Sequence, residues 1–215
     1  MEAMHPKPVT PEGLVELIAD LCATAAGDGL RLRVAVDGHP ATGTERLADE
    51  VAAALQGRGT AALRVSTRWF LRPASLRYEF GKQDVQSYAE SWLDVSALRR
   101  EVLDPLATGG SGRWLPTLWD PVADRATRAA YESAPERAVL LVDGPLLLGT
   151  SLPFDLTVHL HLSAAARQRR TSDDEKWTLP AYDDYDKTVR PNESADVVVR
   201  ADDARHPAIV LRRHQ

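Results

Sequence analysis

Leu14, Leu17, Ile18 and Leu21 recur at helical spacing. Ahead of them Thr10-Pro11-Glu12 offers a capping residue, a proline at the first helical position and an acid in the first turn. The pattern predicts a helix over about 11–26. The period then changes. Leu30–Asp37 reads as a strand, Thr44–Leu55 as an amphipathic helix closed by Gly57 and Gly59, and Ala61–Ser66 as a second strand. Residues 67–86 mix Arg, Pro and aromatics without a period and predict irregular chain. Val95–Leu106 reads as a helix ending before Gly109-Gly110, and Trp114–Asp124 as an extended segment or hairpin. Ala138–Asp143 is continuously apolar, as a strand buried on both faces requires. Asp155–Leu162 is a further strand, Ala164–Arg170 and Leu179–Val189 are helices, and Ala195–Arg200 and Ala208–Leu211 are the last strands. Short apolar strands alternating with helices predict the α/β class, with a doubly wound, mainly parallel sheet. No linker, repeat or low-complexity tract divides the chain, so residues 1–215 read as a single domain.

Composition narrows the partners. A net charge of −5 on 215 residues argues against a general nucleic-acid or anionic-membrane surface. No stretch approaches 18 apolar residues, and Met1–Pro8 lacks a signal-type apolar run, so a cytoplasmic protein is expected. The single cysteine, Cys22, excludes an intrachain disulfide and reads as a small core residue on the first helix.

The first strand runs into Gly38-His39-Pro40-Ala41-Thr42-Gly43-Thr44-Glu45, the frame of a phosphate-binding loop, G-x-x-x-x-G-K-[ST]. Thr44 stands where the lysine belongs and Glu45 where the hydroxyl belongs. The lysine normally reaches the terminal phosphates and the hydroxyl holds Mg²⁺. The exchange moves the local balance by about two charge units against a polyphosphate. Each unit is worth roughly 3 kcal/mol at ~5 Å and an effective dielectric of ~20. Loop amides and the helix N-terminus would still attract an anion, by a smaller amount.

Downstream landmarks follow in a set order: Val65-Ser66-Thr67-Arg68-Trp69-Phe70-Leu71-Arg72-Pro73, Arg77-Tyr78, Tyr88-Ala89-Glu90-Ser91-Trp92, Val102-Leu103-Asp104-Pro105-Leu106, Gly109-Gly110, Val139–Gly144 and Ala195-Asp196-Val197-Val198-Val199. From about residue 30 to 211 this succession resembles the uridine kinase-like family of bacterial P-loop kinases. The resemblance implies a P-loop NTPase core of nucleoside kinase type, an acceptor pocket, and a small lid over about 164–190. Carried over position by position, the phosphate lysine falls on Thr44, the Mg²⁺ hydroxyl on Glu45, and the acceptor's base on Arg68, which stays protonated and cannot act as one. The acceptor-binding Asp-Ser-Phe becomes Glu90-Ser91-Trp92, while Asp143 keeps the acid after the third core strand. Arg167, Arg169 and Arg170 keep the basic lid.

Catalytic roles are therefore sought at Asp143, Arg68 and Glu45, with an ion pair between Glu45 and Arg68 filling the space of the metal and the base. Ligand contacts are expected from Gly38, His39, Gly43, Thr44, Trp69, Arg72, Glu90, Trp92, Arg167 and Arg170. Asp37 and Asp143 both end central strands, where α/β sites usually lie. His159 and His161 share one face of a strand but lack an obvious third ligand, so no metal site is assigned.

The expected function is a uridine kinase-like protein that has lost ATP-dependent phosphotransfer. Its cleft would be reused on a small anionic or nucleoside-like substrate, with ATP and Mg²⁺ binding weak or absent. A non-catalytic pseudokinase that binds a ligand or partner stays open. So does a weak nucleoside kinase in which Arg46, Arg68 or Arg72 replaces the lysine, and so does a homodimer.

Overall fold

The computed structural model describes residues 6–26 and 31–212. β1 (Lys7–Pro8) leads into α1 (Pro11–Ala26), β2 (Leu32–Gly38), α2 (Thr44–Gly57) and β3 (Ala62–Ser66). Three short helices follow, α3 (Ala74–Arg77), α4 (Val85–Ser91) and α5 (Val95–Leu98), the last running into a π-helical stretch over Arg99–Leu103. β4 (Arg113–Trp114), β5 (Trp119–Asp120), β6 (Arg125–Ala126) and β7 (Glu132–Ser133) form two small ladders, β4 with β7 and β5 with β6. β8 (Val139–Gly144), β9 (Leu156–His161), α6 (Ala164–Arg170), α7 (Leu179–Thr188), α8 (Pro191–Ser194), β10 (Val197–Arg200) and β11 (Ala208–Leu211) complete the order.

One seven-stranded sheet carries the architecture, in the order β1-β11-β10-β9-β2-β8-β3. The five strands from β10 to β3 are parallel; at one edge β11 runs antiparallel to β10, and β1 antiparallel to β11. Alternation along β2 supplies both faces. Val34 and Val36 pack with α1 and α2, where Ile18, Leu47, Val51 and Leu55 are buried. Ala35 faces the other layer, with Phe70, Leu98, Val102 and Leu106. Every residue of β8 is buried, as its apolar run requires. Cys22 lies in the first of these layers, and burial pushes its thiol up to about 12.

Three expectations change. The stretch 67–86 is not irregular throughout: a 3₁₀ turn spans Thr67–Phe70, and α3 and part of α4 follow it. The helix expected over Val95–Leu106 starts on an Asp94 cap that accepts the Ala97 N–H at 2.9 Å, then widens into the π stretch. Within Trp114–Asp124 only β5 enters a hairpin, its turn tied by Asp120 to the N–H groups of Val122 and Ala123, whereas Trp114 pairs with Glu132. Leu30 lies outside the described residues.

β2, β3 and β8 all end at one rim, because Asp37 is in register with Gly144 and Ser66 with Asp143. The chain is crowded there. A Cβ on Gly38 would sit 2.9 Å from the Leu160 carbonyl and from Thr42 Oγ1, and one on Gly144 would collide with Thr67.

Candidate functional site

The loop after β2 closes on itself. His39 is extended and caps a 3₁₀ turn over Pro40–Thr42. Its Nδ1 accepts the Ala41 N–H at 3.1 Å, its carbonyl accepts the Thr42 N–H at 2.8 Å, and the Gly43 N–H donates to the Pro40 carbonyl at 3.2 Å. Pro40 has no N–H. Positions 40–43 thus offer no free amide to the rim. Gly43, at φ 78°, turns the chain through the left-handed region into α2. The amides of Thr44, Glu45 and Arg46 lie ahead of the first helical bond, from the Leu47 N–H to the Gly43 carbonyl.

His39 is turned into the protein, with its ring 4.4 Å from that of Tyr182. Nδ1 is an acceptor, and the Thr171 hydroxyl gives its proton to the Arg167 carbonyl. Nε2, 3.3 Å from Thr171 Oγ1, is therefore the protonated nitrogen of a neutral ring. Burial, aided by the Arg167 charge, pushes the imidazole down to about 4.

Two carboxylates stand at the rim on adjacent strands. Asp37, fully buried, accepts the Leu147 N–H at 2.8 Å, the Tyr185 hydroxyl at 3.0 Å and His159 Nδ1 at 2.6 Å. Tyr185 in turn accepts the Leu148 N–H at 3.0 Å, and burial and the Asp37 charge raise its phenol. This carboxylate ties the loop after β8 and the helix α7 to β2. Asp143 accepts Arg64 at 2.8 Å on one oxygen and the Ser66 hydroxyl at 3.1 Å on the other. Arg64 also reaches Asp49 at 2.8 Å and the carbonyls of Leu141 and Glu45 at 2.9 and 3.3 Å. Burial raises the Asp143 carboxyl, opposed by Arg64 and Ser66 and helped by the nearby Glu45 charge.

Arg64 was missed in the sequence. Its signal was a cation midway along an apolar strand, and it overturns one expectation: among the described residues no ion pair joins Glu45 to Arg68. Arg64 projects from β3 and reaches the start of α2 first, while the Arg68 guanidinium lies over the Trp69 ring, 4.9 Å from its centre.

Above Asp143 opens a cleft of about 1240 Å³, walled by the start of α2, residues 66–71, α4, the segment 143–150 and α7. Gly43, Thr44, Glu45, Arg68, Glu90, Trp92 and Asp143 line it. Gly38, His39, Trp69, Arg72, Arg167 and Arg170 do not. The expected basic lid is spent internally. Arg167 is buried against Asp183 at 2.9 Å and Asp186 at 2.7 Å, and Arg170 binds the carbonyls of Ala201 and Asp202. The Arg72 N–H donates to the Trp92 carbonyl, and Trp69 packs on the second layer of the core. Trp92 is held by its indole N–H on the Arg77 carbonyl at 3.1 Å and by the Arg77 guanidinium over its ring.

The lining combines an apolar floor, including Leu71, Leu93, Leu146, Leu148 and Val189, with Tyr88, Trp92 and Tyr185. Its charge is acidic. Glu45, Asp49, Glu50, Glu90, Asp143, Glu175 and Asp184 line it beside Arg46 and Arg68, with Arg64 behind Asp49 and Asp143. His159 and His161 spend their Nδ1 atoms on Asp37 and Asn192. Among the described residues no group of three or more His, Cys, Asp or Glu is placed to share a metal ion. Nor is any helix among them long and apolar enough to cross a membrane.

No family model and no curated protein matches the chain. Solved structures do. A possible uridine kinase from Bacillus stearothermophilus is 21% identical over 86% of this chain and 98% of its own, with a TM-score of 0.67. A candidate fructose transport system kinase from Silicibacter sp. TM1040 is 22% identical over 87% of this chain and 95% of its own, with a TM-score of 0.61. The chain shares the fold of these two structures, α/β and mostly parallel, in line with the sequence resemblance.

Proposed function

We propose that this chain uses a P-loop kinase fold without ATP-dependent phosphoryl transfer, and that its cleft serves a small organic molecule as a repurposed enzyme. The loop carries the reading. Pro40 has no N–H, the amides of Ala41, Thr42 and Gly43 are committed inside the turn, and Thr44 and Glu45 replace the lysine and the hydroxyl. A nucleotide's phosphates would find the free amides of Thr44, Glu45 and Arg46 but no lysine beside them, and Mg²⁺ would lack its hydroxyl. Arg64 already holds a fixed positive charge against Asp143. These residues do not fit Mg-ATP. The cleft itself has the volume, the apolar floor and the few polar groups of a ligand site. Asp143, raised by burial at its base, is the candidate acid or base.

Calorimetric titration tests the loop. Mg-ATP is expected to bind with a dissociation constant weaker than about 1 mM, less than roughly 4 kcal/mol of binding free energy. Micromolar binding would restore the reading as a weak nucleoside kinase. One observation favours a second reading, a binding module without turnover: Arg64 and Ser66 occupy both oxygens of Asp143.

A further inference from the structure

We infer that the ligand of this cleft is a cation, an organic amine with a flat apolar body, in place of the anion that a phosphate-binding fold would suggest. The inference rests on the reading of the cleft as a ligand site and adds its chemical class. The rim explains why. Of the two arginines that line the cleft, Arg46 pairs with Glu50 at 3.3 Å, and Arg68 stacks on Trp69 with no carboxylate paired to it among the described residues. Asp49 and Asp143 share the single charge of Arg64. Four carboxylates, on Glu45, Glu90, Glu175 and Asp184, remain around the opening with no cation paired to them among the described residues. They come from three separate elements and from the segment before α7, so no single acidic run accounts for them.

The interior supplies the other half. Tyr88 and Trp92 stand edge to face, 5.1 Å between ring centres, and open onto the apolar floor. Their polar edges are already used, Trp92 by the Arg77 carbonyl and Tyr88 by the Tyr182 hydroxyl at 2.6 Å. Both rings line the cleft, and the Trp92 ring already carries the Arg77 guanidinium on one side, 5.2 Å from its centre. Aromatic faces attract cations through the ring quadrupole, and unpaired carboxylates add direct attraction that salt screens. An organic anion would meet four unpaired carboxylates at the rim against the one stacked guanidinium of Arg68.

The test uses three probes of one shape and different charge: tryptamine, tryptophol and indole-3-propionate, titrated calorimetrically into the full-length protein. Tryptamine is expected to bind about tenfold more tightly than tryptophol or better, with indole-3-propionate weakest, and high salt should compress the order. In a Glu45→Gln/Glu90→Gln variant tryptamine should fall toward tryptophol. Both side chains are exposed, and the pair Glu175→Gln/Asp184→Asn asks the same question should the first variant not fold. Equal affinities, a preference for indole-3-propionate, or no binding by any of the three overturns the inference. None of the probes carries a phosphate. Their order is therefore read independently of the Mg-ATP titration, and either result can fail alone.

Discussion

Asp37 and Asp143 end neighbouring parallel strands one residue out of register, and both are almost wholly buried. Asp37 is saturated by an amide, a phenol and an imidazole, which belong to the loop after β8, to α7 and to β9. Asp143 is held by a guanidinium and a hydroxyl from β3 and borders an open cleft. Position at a strand end is thus the same, and the neighbours decide the role. Donors drawn from three elements make a joint between them. Donors from one adjacent strand leave the carboxyl at a surface where a ligand can reach it.

The comparison breaks most readily at Asp37. Asp37→Ala strips an acceptor from three buried donors at once and is expected to cost about 3–5 kcal/mol. For a chain of this size that is a fall in melting temperature of about 10 °C. Urea unfolding measures it, and a loss below about 1 kcal/mol would remove Asp37 from its role as a joint.

His39, on the same flank of the loop, sharpens the contrast through pH. Its folded pKa is near 4 against an ordinary 6.5. The unfolded chain therefore binds the proton more readily between those values. The contribution of the neutral ring is complete above pH 6.5 and is lost as pH falls through about 4, an effect of about 2–3 kcal/mol. His39→Asn keeps an acceptor for the Ala41 N–H but does not titrate, so its stability should vary less with pH across that window. An unchanged slope would show that His39 is not the group responsible.

The smallest effect belongs to the cleft. A carboxyl raised on folding gains nothing from its charge in the native state. Its contribution is present below its unfolded pKa and is lost as pH rises through the folded one. Asp143→Asn should therefore change stability by no more than about 1 kcal/mol at neutral pH, since Arg64 keeps Asp49 and two carbonyls. A loss as large as that from Asp37→Ala would erase the distinction between joint and site.

Much of the scaffold was legible because it rests on period. β2, α2, β8, β9 and α6 fall within two residues of their expected bounds, since an apolar run or a helical stripe survives any detail of packing. The two residues of β1 carry too short a pattern to read, and α3 lies where no period exists. At the site, the loop's missing lysine could be read from Thr44 and Glu45. Its closure could not, because it depends on where the His39 ring turns and on which carbonyl the Gly43 amide meets. The pairing of Arg64 was hidden for a similar reason. Arg64 and Arg68 differ by four positions, and only the 3₁₀ turn after β3 decides that one faces Asp143 and the other Trp69.

The two rims of the seven-stranded sheet have a consequence for crowding at high concentration. An outer strand with free N–H and C=O groups invites a strand from another molecule. Here one outer strand, β1, is two residues long and ends in Pro8, which has no N–H to offer. The opposite one, β3, is five residues long, and its central Arg64 turns inward onto α2 and β8 and leaves the outer edge uncovered. Strand addition is therefore limited by shortness at the β1 side, and β3 is the side from which a second chain could extend the sheet.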